Sequence, residues 1–335
     1  MFNSPQPKKK GMKQVANPTV RIENQTLYSS RMEKFWADFK RNWQLHLMIC
    51  LPMFYLILFN YVPMYGIQVA FKKFSPRAGI WGSEWIGLKN FEKFFGYYLW
   101  KEVVINTVAL SSYSLIVGWA PPVILALAIH INTHKVFTKI TQRISYMPHF
   151  ISVVVLVGMI NTVLNPVTGF MGYFIRLFDI KGYVDIRGSK DAFRHLFVWT
   201  GEWQGVGWGS IIYVSALSAV PTELHEAAKI DGASRLRRVW SVDLPTIIPM
   251  MALLFIMSSG SILNVGYQKA YLMGNAMNHE VSEIISTYVY KNGIRSGDAS
   301  FGSAVGLLQS VINTAIVFFV NWIADLLSDG EYAMF

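Results

Sequence analysis

Glu226-Ala227-Ala228-Lys229-Ile230-Asp231-Gly232-Ala233-Ser234, followed after seven further residues by Val242-Asp243-Leu244-Pro245 and then by Pro249, is the stretch on which the reading of this chain turns. Pro221 and Thr222 supply a helix start, and Glu223 and Glu226 place negative charge where the helix dipole is positive. Gly232 suits the helix end. Ala227, Ala228 and Gly232 leave one patch of this helix almost without side chains, so another body can approach its backbone closely. Arg235, Arg237 and Arg238 open a charged second leg, which Pro245 is expected to end. A segment of 26 residues, 221–246, is long for a plain connector, and its helix, turn and helix are well defined.

The loop is set between apolar runs. Of the 335 residues 53% are hydrophobic and only 15% charged, which excludes an ordinary soluble enzyme or a disordered scaffold. A single cysteine, Cys50, excludes an intrachain disulfide. A hydrocarbon core of ~30 Å needs ~20 apolar residues per helix. Six segments have that length: 44–66, 103–131, 144–164, 195–220, 247–267 and 302–327. The fourth is interrupted by Glu202, Gln204 and several glycines.

The net charge of +10 is concentrated upstream, with nine of thirty Lys and Arg in the first 43 residues. This indicates a basic tail beside a membrane rather than a nucleic-acid surface. Residues 1–30 are too polar to bury a core and are expected to be disordered. Met32, Phe35, Trp36 and Phe39 recur at helical spacing in 31–43, giving an amphipathic elbow against the lipid interface. The chain 44–327 then forms the membrane domain. A cytoplasmic start puts loops 132–143 and 221–246 in the cytoplasm, 68–102, 165–194 and 268–301 outside, and the short tail 328–335 back inside. Phe91, Phe94 and Phe95 share helical spacing, suggesting a short helix on the outer interface.

At the loop the chain resembles the inner-membrane permeases of binding-protein-dependent ABC importers. Their cytoplasmic loop reads EAA, three residues, Gly, nine residues, Ile, one residue, Leu-Pro. Glu226, Ala227, Ala228, Gly232, Leu244 and Pro245 match in register, while Val242 replaces the usual Ile and Val239 stands where Phe is common. Asp231-Gly232-Ala233-Ser234 is most similar to the carbohydrate group. Tyr61-Val62-Pro63-Met64-Tyr65-Gly66 and Ala70-Phe71-Lys72-Lys73-Phe74 resemble permeases for oligosaccharides of plant or uronic-acid polysaccharides.

The resemblance implies an all-α polytopic membrane protein with six transmembrane helices and a cytoplasmic coupling helix, resident in the bacterial cytoplasmic membrane. It implies that Glu226, Ala227, Ala228, Asp231, Gly232, Ala233, Leu244 and Pro245 engage or support contact with a separate ATPase subunit. The implied partners are a second, related permease in a heterodimer, two cytoplasmic ATPases and an external or periplasmic sugar-binding protein, besides membrane lipids. ATP and Mg would sit on the ATPases and no cofactor on this chain, which has no G-x-x-x-x-G-K-[ST] run. No residue is expected to be catalytic. Ion-coupled transport, a membrane-bound glycan enzyme and an ABC permease for a non-sugar solute are the rivals.

A sugar path needs polar groups and aromatic rings within the membrane. Gln309 and Asn313 lie four apart in the sixth segment and either line a cavity or bond helices together. Trp199, Glu202, Trp203, Gln204 and Trp208 combine rings and polar groups in the fourth. Asn264 and Tyr267 stand at the outer end of the fifth. His130 and His134 are four apart near a cytoplasmic helix end, with no evident third ligand, so no metal is expected.

Overall fold

The computed structural model describes residues 31–178, 185–328 and Met334. The basic tail expected at 1–30 and most of the C-terminal tail expected at 328–335 lie outside these residues. Met1–Met64 and Tyr65–Phe335 form two compact units.

In the first unit, helix α1 (Arg31–Arg41) clusters Phe35, Trp36 and Phe39, whose ring centroids lie 6.0–6.4 Å apart. A second helical run, α2 (Trp43–Phe71), begins in this unit and continues past Met64; it is long and apolar enough to cross a membrane and has no buried residue in its most apolar window. Such exposure suits a helix whose solvent is lipid, where apolar side chains need no protein cover.

The second unit contains a two-stranded antiparallel ribbon, β1 (Lys72–Lys73) and β2 (Glu84–Trp85), with Lys72 opposite Trp85. A short helix, α3 (Lys89–Phe95), follows. Its Phe94 is buried against Tyr288 and Phe301, so this ring anchors the segment to the protein, while Phe95 remains exposed. Then come α4 (Trp100–Ile131), the bent pair α5 (Lys135–Phe150) and α6 (Val153–Val163), α7 (Phe170–Leu177) and α8 (Lys190–Ser218). After them lie α9 (Thr222–Ile230), α10 (Arg235–Ser259), α11 (Tyr267–Met273) and α12 (Ala299–Ser328).

Four helices, α2, α4, α10 and α12, meet the length and hydropathy of a span, and the bent pair makes a fifth. The sixth expected span, α8, is 29 residues long, about 44 Å at 1.5 Å per residue, yet too polar to qualify by composition. Its glycines have a packing reason. A Cβ at Gly207 would stand 1.9 Å from the Ser145 carbonyl oxygen, and one at Gly209 would stand 3.3 Å from Pro122. Small residues thus let α8 lie directly on α4 and α5, the mode of close approach favoured in membranes. Phe193, Phe197 and Val198 of α8 join Leu110 of α4 in one core cluster, and Tyr213 and Leu217 join Val123 and Ala126 in another.

Two span boundaries differ from expectation. The third segment, read as one helix over 144–164, is broken at Ile151–Ser152, with α5 and α6 meeting at 100°. Ser152 caps α6, its Oγ accepting from the Val155 amide at 3.3 Å. The fifth, read as 247–267, begins at Arg235 and ends at Ser259, and 260–266 is irregular before α11. Pro245 does not end the arginine leg. A π turn at Val239–Asp243 widens the helix just ahead of the proline, so the chain passes through without a break.

Candidate functional site

The loop between α8 and α10 is built by local hydrogen bonds. Asp231 N donates to Ala227 O at 3.0 Å, Gly232 N to Lys229 O at 3.0 Å and Ala233 N to Ala228 O at 2.9 Å. The last two form a Schellman closure, with Gly232 at φ +78° in the left-handed position. A side chain there would be strained even though nothing lies within 4 Å of its Cβ position. Ser234 then caps the second leg, its Oγ accepting from the Arg237 amide at 3.3 Å.

This loop helix has one face in the protein and one outside it. Val239 and Ile247 are buried, and Leu244 packs with Ile247 and Met251 against α4 and α8, fixing the base. Glu226, Ala227, Asp231 and Gly232 are exposed. Beside them stand large apolar side chains, with Ile230 87% exposed, Leu236 69% and Trp240 69%. The exposed surface is therefore greasier than the alanine patch suggested. An exposed apolar cluster of this kind suits contact with another protein or with lipid better than a solvated connector. Ala228 and Ala233 are half-buried and Pro245 is exposed. Asp231 braces the turn through its backbone amide.

Above the loop, a cavity of about 640 Å³ opens between α4, α8 and α10. Ser111, Ser114, Ser258, Ser261 and Asn264 supply polar groups, and Trp119, Phe255 and Trp208 supply rings. The Ser114 hydroxyl is buried without a hydrogen-bond partner among the described residues. The arrangement can hydrogen-bond hydroxyls and stack against flat apolar faces, which is what a saccharide presents.

Of the nine path residues singled out from the sequence, Asn264 and Trp208 line this cavity. Three others complete broken backbone. Gln309 Nε2 donates to Leu263 O at 3.3 Å, and Asn313 Oδ1 accepts from Leu263 N at 3.1 Å, both across to the irregular 260–266 segment. Gln204 Nε2 donates to Ile151 O at 2.6 Å, at the break between α5 and α6. Backbone groups freed inside a membrane must find such partners. Trp199 donates to the Tyr113 hydroxyl at 3.0 Å and is largely exposed, as is Trp203. Tyr267 packs on Tyr290 with centroids 5.4 Å apart.

Glu202 is half-buried and packs against α4, where a Cβ on Gly118 would stand 2.7 Å from Oε1. Lys269 of α11, which is buried, attracts this carboxylate without an ion pair within 4.0 Å; its ammonium donates to Phe197 O at 2.6 Å and sits 4.8 Å from the Phe197 ring centre. Lys269 was not singled out by the sequence, since nothing local marks a partner 67 positions away. Ser111 and Ser114 could have been found, because Ser111, Ser114, Leu115, Gly118 and Pro122 share one face of α4. His130 is half-buried and meets not His134 but His225 and Asp243.

Comparison with known proteins gives a consistent result. Residues 120–329 match the family described as binding-protein-dependent transport system inner membrane component. Protein LplB of Bacillus subtilis (strain 168) is 36% identical over 289 residues, covering 86% of this chain and 90% of the relative. The polygalacturonan/rhamnogalacturonan transport system permease protein YteP of the same organism is 37% identical, covering 84% and 87%. In the crystal structure of a bacterial alginate ABC transporter in complex with alginate pentasaccharide-bound periplasmic protein, one chain superposes with a TM-score of 0.79 at 30% identity, covering 90% of this chain and all of that one.

Proposed function

The chain belongs to the inner membrane components of binding-protein-dependent transport systems, and on that premise we propose that it is the permease subunit of an ABC importer for an oligosaccharide of the uronic-acid class. Family members of this kind are transport subunits and not enzymes. The chain pairs with a second, related permease and with two cytoplasmic ATPases, which bind ATP and Mg, and it receives solute from an external binding protein. Both termini face the cytoplasm.

The observation that carries the reading is the loop: a helix closed by Gly232, fixed at its base by Val239, Leu244 and Ile247, and presenting Ile230, Leu236 and Trp240 outward. Because α10 runs unbroken from Arg235 to Ser259, a push on the loop is transmitted along α10 to Ser258 and Ser261 at the cavity. Closing of the ATPase pair would thereby open the cavity outward. The uronate class is supported by the likeness to YteP, a polygalacturonan/rhamnogalacturonan permease, and to the alginate importer.

The test is uptake into vesicles containing this chain with the permease and ATPases encoded beside it. Oligogalacturonide should accumulate only with ATP at the ATPase face and binding protein at the other. Accumulation driven by an ion gradient without ATP would overturn the transport reading. Equal uptake of a neutral glucan would overturn the uronate class alone.

A further inference from the structure

We propose that His130, His225 and Asp243 form a site for a divalent transition metal that staples the loop helix to the membrane bundle. The three come from different elements: the last turn of α4, the middle of α9 and the π turn at the start of α10. His225 Nε2 lies 3.1 Å from Asp243 Oδ1 and His130 Nε2 lies 3.4 Å from the same oxygen, with all three ligand atoms within 4.8 Å of one another. Zinc held at ~2.0–2.1 Å by nitrogen and oxygen in a tetrahedron spaces its ligands about 3.3 Å apart. Two of the three edges already have that length.

Burial and bonding favour a metal over a simple ion pair. The Asp243 side chain is 3% exposed and that of His225 18%. Nevertheless Asp243 Oδ1 and His225 Nε2 make no hydrogen bond, although they are close enough for one. A metal bound by both atoms would supply the partner each lacks. A carboxylate buried without such a partner is costly. Two imidazoles and one carboxylate suit zinc and its spectroscopic substitute cobalt(II), not magnesium or calcium, which require oxygen.

The fourth position opens on a pocket of about 390 Å³ that Lys229, Arg235 and Arg238 also line. These cations oppose a bare divalent ion, and a chloride or hydroxide in the fourth position offsets them. The bound metal would fix the angle between the loop helix and α10. The site rests on these side chains alone and does not depend on the identity of the solute.

Full-length chain without a polyhistidine tag, stripped with chelator and placed in lipid nanodiscs, is titrated with cobalt(II). One equivalent should give the visible absorption of tetrahedral cobalt, displaced by zinc. His130→Ala and His225→Ala should each weaken binding by more than about 100-fold, since loss of an outer-shell partner alone costs ~10- to 100-fold. His134→Ala, at an exposed position four residues from His130, should leave it unchanged. Absence of that absorption, or unchanged affinity in both His130→Ala and His225→Ala, overturns the proposal. Asp243→Asn is read only where the variant folds; the two histidine variants decide.

Discussion

The loop at 221–246 and the cavity above it teach opposite lessons about how a site is made. In the loop, the contacts that set the turn are local: Gly232 bonds three residues back, Ala233 five, and Ser234 caps three ahead. In the cavity, hydroxyls on α4 and α10 and a ring on α8 meet only because Gly118 and Gly209 let the helices close up. The first kind of site is specified by neighbours in sequence. The second exists only in the packed bundle.

The largest expected effect lies in the loop. Gly232→Leu forces a side chain into a left-handed φ, at ~1–2 kcal/mol, and adds bulk to the outer face. ATP-driven uptake should fall about tenfold or more, the factor that ~1.4 kcal/mol represents, while the detergent-solubilised chain keeps its helix content. Gly232→Ala carries the strain without the bulk. If both variants lose uptake equally, the backbone turn matters and close approach does not.

Next is the seam between α10 and α12. Asn313→Ala leaves the Leu263 amide without its acceptor, and thermal unfolding in detergent should register a loss of about 1–2 kcal/mol. A residue serving only the solute would change uptake and not the melting temperature. In the cavity the expectation reverses: Asn264→Leu should raise the apparent KM about fivefold, as for one lost hydrogen bond of ~1 kcal/mol, with little effect on melting. A stability loss there comparable to that of Asn313→Ala would erase the distinction between the two sites.

The smallest effect concerns the clip between Lys93 of α3 and Asp298, just ahead of α12, at 2.7 Å. Burial pushes the Asp298 carboxyl up, but the hydrogen bonds from Lys93 and from the Phe301 amide outweigh it and hold it below the ordinary carboxylate value. A lowered folded value stabilises the protein above the unfolded pKa of ~3.9, and the contribution disappears as pH falls through the folded value. Lys93→Ala should therefore melt slightly lower than the parent at pH 7, with a flatter acid limb that converges on the parent's as the pH falls below about 4.

The loop was legible because its glycine, its small residues and its proline each act on neighbours within five positions. The helical character of the apolar runs was legible for a related reason: inside lipid a chain must satisfy its own backbone. The spans' ends were less so. Pro245 was expected to stop a helix, but the π turn at Val239–Asp243 absorbs it; the break at 260–266 became tolerable only through Gln309 and Asn313, some 46–50 positions away. Those two polar residues were noticed correctly as unusual in a span, and their alternative role in bonding helices together is the one the geometry displays.

Composition and spacing by themselves determined that this is a helical membrane chain with an exposed helix-turn-helix between its fourth and fifth long segments, because hydropathy and local hydrogen bonds require no distant partner. Tertiary structure alone decided which serines face one cavity, that Lys269 answers Glu202, and that His130 meets His225 and Asp243. Those pairings depend on how helices cross, and crossing is set by the summed fit of many side chains rather than by any short run of sequence.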